Sequence, residues 1–153
     1  MLMRLLSRLF SYEEINGGNR CPTYLHRWTL FRAFGCGVYL HRFVADDWSL
    51  DLHDHPKRFV SIGLAGEYTE HTPKRTRIFR APWLRTFPAS HAHRITLRPG
   101  VECWTLVIVL RAARPWGFWH AGTWIHWREY VRGKFAHIAD LRAVCAGIVG
   151  GDR

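Results

Sequence analysis

Two closely spaced histidine pairs carry the first chemical signal in this chain. Residues 53 to 55 read His-Asp-His ahead of Pro56, and residues 91 to 93 read His-Ala-His shortly after Pro88. On an extended strand the first and third positions point to the same side. Each pair can therefore present two imidazoles to one ion. Neutral imidazole suits zinc, iron, nickel and copper, and a site begun by His53 and His55 needs a third ligand from a neighbouring strand. His93 is the candidate. An open three-histidine face leaves positions for substrate or dioxygen, which a catalytic site requires and a structural site avoids. With ten histidines in the chain, one His-x-His is unremarkable. Two of them, each near a proline and each opening an apolar strand, are harder to assign to chance.

The elements that must position these residues read as short strands. The segments 24–34, 36–44, 58–71, 77–87, 92–97 and 102–112 are rich in β-branched and aromatic residues and are separated by Gly, Pro or Asp. Many short strands at fairly even spacing predict a sandwich or closed barrel. In the run from Val38 to Phe43, Val38, Leu40 and Arg42 share one face while Tyr39, His41 and Phe43 share the other. The opening ten residues suit a short amphipathic helix, with Arg4 and Arg8 four apart. Residues 13–23 collect Gly, Asn and Pro and predict a loop. The expected organisation is thus an N-terminal helix and loop over 1–23, a barrel over 24–135, and a weakly helical tail over 136–153.

Composition bounds the reading further. At 153 residues the chain is the size of one domain, and 48% apolar with 14% aromatic content takes it out of the disordered range. Lys and Arg outnumber Asp and Glu by 22 to 12, a formal net charge of +10. Such a surface attracts polyanions, but the basic residues are scattered and no nucleic-acid motif accompanies them. Cys21, Cys36, Cys103 and Cys145 form no paired motif, so reduced thiols in a cytoplasmic protein are the expectation. The N-terminal segment has neither the length nor the uninterrupted apolar stretch of a signal peptide or a membrane span. No nucleophile elbow and no phosphate-cradling glycine loop is present.

The stretch from His53 to Leu97 resembles the paired motifs of the cupin superfamily. In the first motif His53, His55 and Gly66 fall at the family's spacings; in the second, Pro88 and His93 match, while Ser90 and Leu97 replace a glycine and an asparagine. The wider phrasing is similar to small bacterial and phage cupins of unassigned function. The resemblance implies an all-β, cupin-type double-stranded β-helix, or jelly-roll barrel, here with short helical extensions at both ends. It also implies one divalent transition metal (Fe, Zn or Ni) held by His53, His55 and His93, and oxygenase- or isomerase-like chemistry on a small-molecule substrate. Homodimers formed through the sheets are common in the family and are expected here.

One departure matters. The glutamate of the first motif would fall at Phe59 or Val60, so a fourth protein ligand is missing from its usual place. Glu67, Glu70, His71 and His91 are the substitutes, His91 being favoured by its same-side parity with His93 and Glu70 coming next. His41 and His71 are further candidates for orienting a ligand or touching a substrate. Asp54 alternates with its neighbours and should point away from the ion. The cluster of Trp116, Phe118, Trp119, Trp124 and Trp127 is read as packing over one sheet, though aromatic faces among arginines also suit stacking on bases. The competing functional reading is a non-catalytic binding or assembly module whose basic surface contacts nucleic acid or an acidic partner.

Overall fold

A computed structural model describes residues 2–16, 22–112 and 114–132. In chain order it contains α1 (Leu2–Leu9), β1 (Ser11–Ile15), β2 (Leu25–Ala33), β3 (Cys36–Phe43), β4 (Leu52–His53) and β5 (Lys57–His71). There follow β6 (Thr76–Arg80), β7 (Trp83–Phe87), β8 (Arg94–Thr96), β9 (Cys103–Ala112), β10 (Gly117–His120), β11 (Thr123–His126) and α2 (Trp127–Val131). All strand pairs are antiparallel. The larger sheet runs β1-β2-β3-β9-β5-β6, with β7 and β8 also paired to β5, and the smaller runs β11-β10-β4. This curled antiparallel arrangement is the jelly-roll barrel that the motif resemblance implies, and it decides for a barrel where the strand pattern left a sandwich or a barrel open. Among the described residues no helix is long and apolar enough to cross a membrane.

Local chemistry explains the elements. The alternation in β3 resolves as Tyr39, His41 and Phe43 facing the interior cavity. On the opposite face Trp28 stacks on Trp104 at 5.7 Å, with Leu40 paired to Trp28 and to Leu106. Helix α1 lies over this face, where Trp28 Nε1 donates to Ser7 Oγ at 3.0 Å; Leu2, Leu5 and Leu9 stay exposed. The turns Phe34-Gly35 and Ala121-Gly122 both hold positive φ, the two-residue geometry whose twist matches that of antiparallel strands.

Strand β5 decides what reaches the interior. Its pairing with β9 slips between Gly63 and Ala65, so one extra residue is inserted and the side-chain parity reverses. Before the slip Phe59 and Ser61 line the cavity; after it Tyr68 lines the cavity and Glu70 is buried. Gly66, just beyond, has φ +75°, and a Cβ there would lie 1.8 Å from the Glu102 carbonyl oxygen.

Two expectations are corrected here. The predicted loop over 13–23 begins later, because Ser11–Ile15 pairs along Leu25–Thr29 as an edge strand. The segment 77–87 is two strands, since Pro82 interrupts it between β6 and β7 and cannot donate to a ladder. The helical tail expected over 136–153 lies outside the described residues, although α2 forms a short helix immediately before it.

Two glycines separate backbone conformation from steric contact. Gly66 and Gly100 share positive φ, but nothing lies within 4 Å of a Cβ at Gly100. Gly100→Ala is expected to lose roughly 1 kcal/mol in urea denaturation, and Gly66→Ala several times as much because a backbone carbonyl must move. Equal losses would show that the close approach of Glu102 carries no cost.

Candidate metal centre

The site is built where β4 is held between two neighbours. His53 N donates to the His93 carbonyl at 2.8 Å, and His93 N returns the bond to His53 at 2.9 Å. His55 N donates to the Ala89 carbonyl at 3.0 Å. On the other side His53 pairs with Phe118 of β10, and Asp54 fastens that strand. Asp54 N donates to the Gly117 carbonyl at 3.0 Å. Its carboxylate accepts from Gly117 N at 2.8 Å, Arg114 at 2.6 Å and Trp124 Nε1 at 3.1 Å. Asp54 thus turns away from the histidines, as parity requires, but it is buried rather than at the surface.

The strand itself ends at His53, yet His55 returns to the same side. The three rings form a near-regular triangle, with centroids 5.1 Å apart for His53–His55, 5.1 Å for His53–His93 and 5.0 Å for His55–His93. One ring nitrogen from each lies within 4.8 Å of the others. His55 Nε2 and His93 Nε2 are 2.9 Å apart. Two bare nitrogen lone pairs at that distance repel, so the pair must share either a proton or a cation. All three residues line one cavity of about 450 Å³.

Burial keeps these imidazoles neutral, the form that binds metal. Desolvation, with His93 and His91 adding, pushes His53 down to about 3. The same cause takes His55 well below the ordinary range and lowers His93 despite the opposing pull of Glu70. Burial alone would raise Glu70, but hydrogen bonds from His91, His93 and Arg85 hold its carboxyl well below the usual carboxylate range. Beside His53 Nδ1, at 3.7 Å, lies Asp47 Oδ2; burial pushes Asp47 up to about 7 against a hydrogen bond from Ile95 N.

Glu70 also fixes a tautomer. His93 Nδ1 donates to Glu70 Oε1 at 3.0 Å, which leaves the Nε2 lone pair directed to the His55 side. His91 Nε2 reaches the same oxygen at 3.0 Å, and Arg85 Nη2 holds Oε2 at 2.8 Å. Glu70, His91 and His93 form a second cluster of ligand type, on the other edge of the His93 ring. A guanidinium already bonded to its carboxylate competes with a cation there, so the three-histidine cluster is the better metal site.

The remaining candidates separate clearly. Glu67 faces away from Glu70 and pairs with Arg80 at 2.7 Å and with Arg98. His71 bonds Thr76 and Thr96 at 3.1 and 2.9 Å. Neither joins the cluster, because both lie on the face that the β5 bulge turns away. His41 lines the cavity but stands outside the triad. At the position of the missing glutamate, Phe59 packs edge-on to His55 at 4.7 Å and stacks on Phe87 at 4.6 Å. Trp116 stacks on Trp127 at 5.7 Å, in keeping with packing, while Trp119 is exposed. Sequence reasoning missed Asp47 and Arg85. The adjacent aspartates were the available signal for the first, since Asp46 and Asp47 accept from Leu97 N and Ile95 N and so dock their loop on β8.

No protein-family model matches the chain, and no curated protein matches it. Solved structures do match. The polyketide cyclase RemF from Streptomyces resistomycificus aligns with 16% identity over 86% of this chain and 92% of its own, at a TM-score of 0.60. A predicted oxalate decarboxylase from Thermotoga maritima aligns with 14% identity over 69% of this chain and 96% of its own, at a TM-score of 0.55. A cupin-like protein from the same organism aligns with 17% identity over 81% of this chain and 98% of its own, at a TM-score of 0.52. The antiparallel barrel, with its histidine cluster opening on an interior cavity, is therefore a cupin fold.

Proposed function

We propose that this protein binds one divalent transition metal, iron, zinc or nickel, through His53, His55 and His93, and uses it in oxygenase- or isomerase-like chemistry on a small molecule held in the cavity. The observation that carries the reading is the convergence of three imidazoles, that of His93 buried and those of His53 and His55 partly buried, with ring nitrogens within 4.8 Å of one another on the wall of one cavity. The donor set fits: three imidazole nitrogens, that of His93 with its tautomer set by Glu70, suit a borderline divalent ion, and three protein ligands leave open positions. Structural neighbours described as a polyketide cyclase and a predicted oxalate decarboxylase support catalysis on this fold.

A metal so held supplies Lewis acidity, or electron transfer where it is iron. The chain's own residues do the rest. Arg85 anchors Glu70, Glu70 anchors His93, and the His53–His93 bridge sets the distance between two ligand backbones. Phe59 and Phe87 wall the His55 side and exclude water from it, which strengthens electrostatic interactions inside.

Elemental mass spectrometry on protein purified without a metal-affinity tag tests the reading. Wild type is expected to carry near one equivalent of transition metal, and His53→Ala and His93→Ala to lose it; no metal after anaerobic reconstitution with iron, nickel or zinc would refute it. Glu70→Gln, which keeps shape but removes charge, is expected to weaken metal affinity roughly tenfold to a hundredfold in chelator competition. An unchanged affinity would show that Glu70 does not act on the site.

The metal-free protein should also be acid-sensitive. His53, His55 and His93 are lowered in the fold. Their contribution is thus fully present above the ordinary imidazole value of about 6.5 and is lost as pH falls below it. Asp47, raised to about 7, works in the opposite direction but is one group against three. The thermal midpoint should therefore drop from pH 6.5 to pH 4; a flat profile would contradict neutral burial of the imidazoles.

A further inference from the structure

The cavity walls indicate what kind of molecule would enter, an inference that rests on the reading above and deepens it. Most of the lining is apolar, with rings from Tyr39, Phe43, Trp48 and Phe118 and the side chains of Val107 and Val109. Beside the histidines of the metal centre, Arg27, Asp47, Ser49 and Lys57 also reach the lining, each already bonded within the protein; the polar residues left to interrupt the barrel wall are His41 on β3, Thr105 on β9 and Ser61 on β5. They are neighbours. His41 stands directly opposite Thr105 in the β3–β9 ladder. Ser61 stands opposite Val107, two residues from Thr105 and on the same face of the sheet. All three are more than nine-tenths buried, at 8%, 1% and 5% exposure.

Hydrogen-bond accounting shows what they offer. Arg27 Nε donates to His41 Nε2 at 2.9 Å. Arginine cannot accept, so Nε2 carries no proton and the neutral ring bears its proton on Nδ1. Among the described residues no acceptor is bonded to that Nδ1–H. Burial, with the Arg27 charge adding, keeps the ring neutral. Thr105 Oγ1 is buried without any hydrogen-bond partner, a costly state for a hydroxyl unless a ligand completes it. Among the described residues the cations that line the cavity are Arg27 and Lys57, and both are already engaged, Arg27 by His41 and by Glu13 at 2.9 Å and Lys57 by the Gly35 carbonyl at 2.7 Å. The patch thus suits an uncharged oxygen acceptor and not a phosphate.

We propose that the cavity takes a small aromatic compound bearing a carbonyl or phenol oxygen, with that oxygen bonded by His41, Thr105 and Ser61 and the ring packed among the aromatic side chains. Its volume is within the range of small-molecule pockets, and offset or edge-on ring packing rewards a flat ligand.

The test uses full-length, chelator-treated protein, so that metal ligation cannot contribute. Isothermal titration compares 2-acetylnaphthalene with 2-isopropenylnaphthalene, in which a methylene replaces the carbonyl oxygen, and with glucose 6-phosphate. The ketone is expected to bind roughly tenfold more tightly than the hydrocarbon, and the sugar phosphate not at all. Thr105→Val, close to isosteric, should weaken the ketone threefold to tenfold, about one neutral hydrogen bond, and leave the hydrocarbon unchanged. Ser61→Ala provides the same comparison should circular dichroism show Thr105→Val misfolded. Equal binding of ketone and hydrocarbon, a preference unaltered in the variants, tighter sugar-phosphate binding, or no binding of any probe would each overturn the inference. Stoichiometric metal without ketone preference would refute this inference alone, and ketone preference without metal would refute the metal reading alone.

Discussion

The reciprocal backbone hydrogen bonds between His53 and His93 are the constraint on which the centre depends. They join two segments that each contribute little regular structure, a two-residue strand and the lead-in to a three-residue one. Neither segment could hold an imidazole in place alone. The bridge makes their separation a property of a ladder, and the hydrogen bonds of Asp54 to Gly117 on the far side stop β4 from sliding. A carboxylate that points away from the imidazole cluster thereby keeps the two flanking histidines in register, since buried charge with three donors is costly to displace.

The same logic explains which parts were legible in the sequence. The strand pattern, the shared face of Tyr39, His41 and Phe43, and the candidacy of His53, His55 and His93 follow from residue type and a two-residue period; the structure turns that face to the interior and brings those three rings together. Glu70 was harder to place. Counting by twos from Phe59 selects Glu67 and His71 for the interior, whereas the bulge after Gly63 reverses parity and delivers Tyr68 and Glu70 instead. A one-residue insertion leaves no periodic trace in a single sequence; the mid-strand glycines at 63 and 66 are its nearest signs. The edge strand Ser11–Ile15 was obscured for another reason: two adjacent glutamates make it look like loop, although a polar edge is what an edge strand needs. His91 matched His93 in parity as expected, but Glu70 draws it away from the triad.

Replacement of the motif glutamate by Phe59 redistributes charge without removing it from the neighbourhood. Three neutral imidazoles around a divalent ion leave its charge uncompensated in a buried place, which is expensive. Here the two carboxylates stand behind the imidazoles: Glu70 on the far nitrogen of His93, and Asp47 at 3.7 Å from His53. Placed there, a carboxylate would raise the donor strength of its imidazole toward a bound ion without itself serving as a ligand. The vacated position becomes an aromatic wall, where Phe59 touches His55 and stacks on Phe87. The wall beside the imidazoles is consequently apolar, and because the lining side chains of Arg27, Asp47, Ser49 and Lys57 are bonded within the protein, an incoming molecule would be oriented by where its single oxygen is satisfied at the His41–Thr105–Ser61 patch and not by an ion pair.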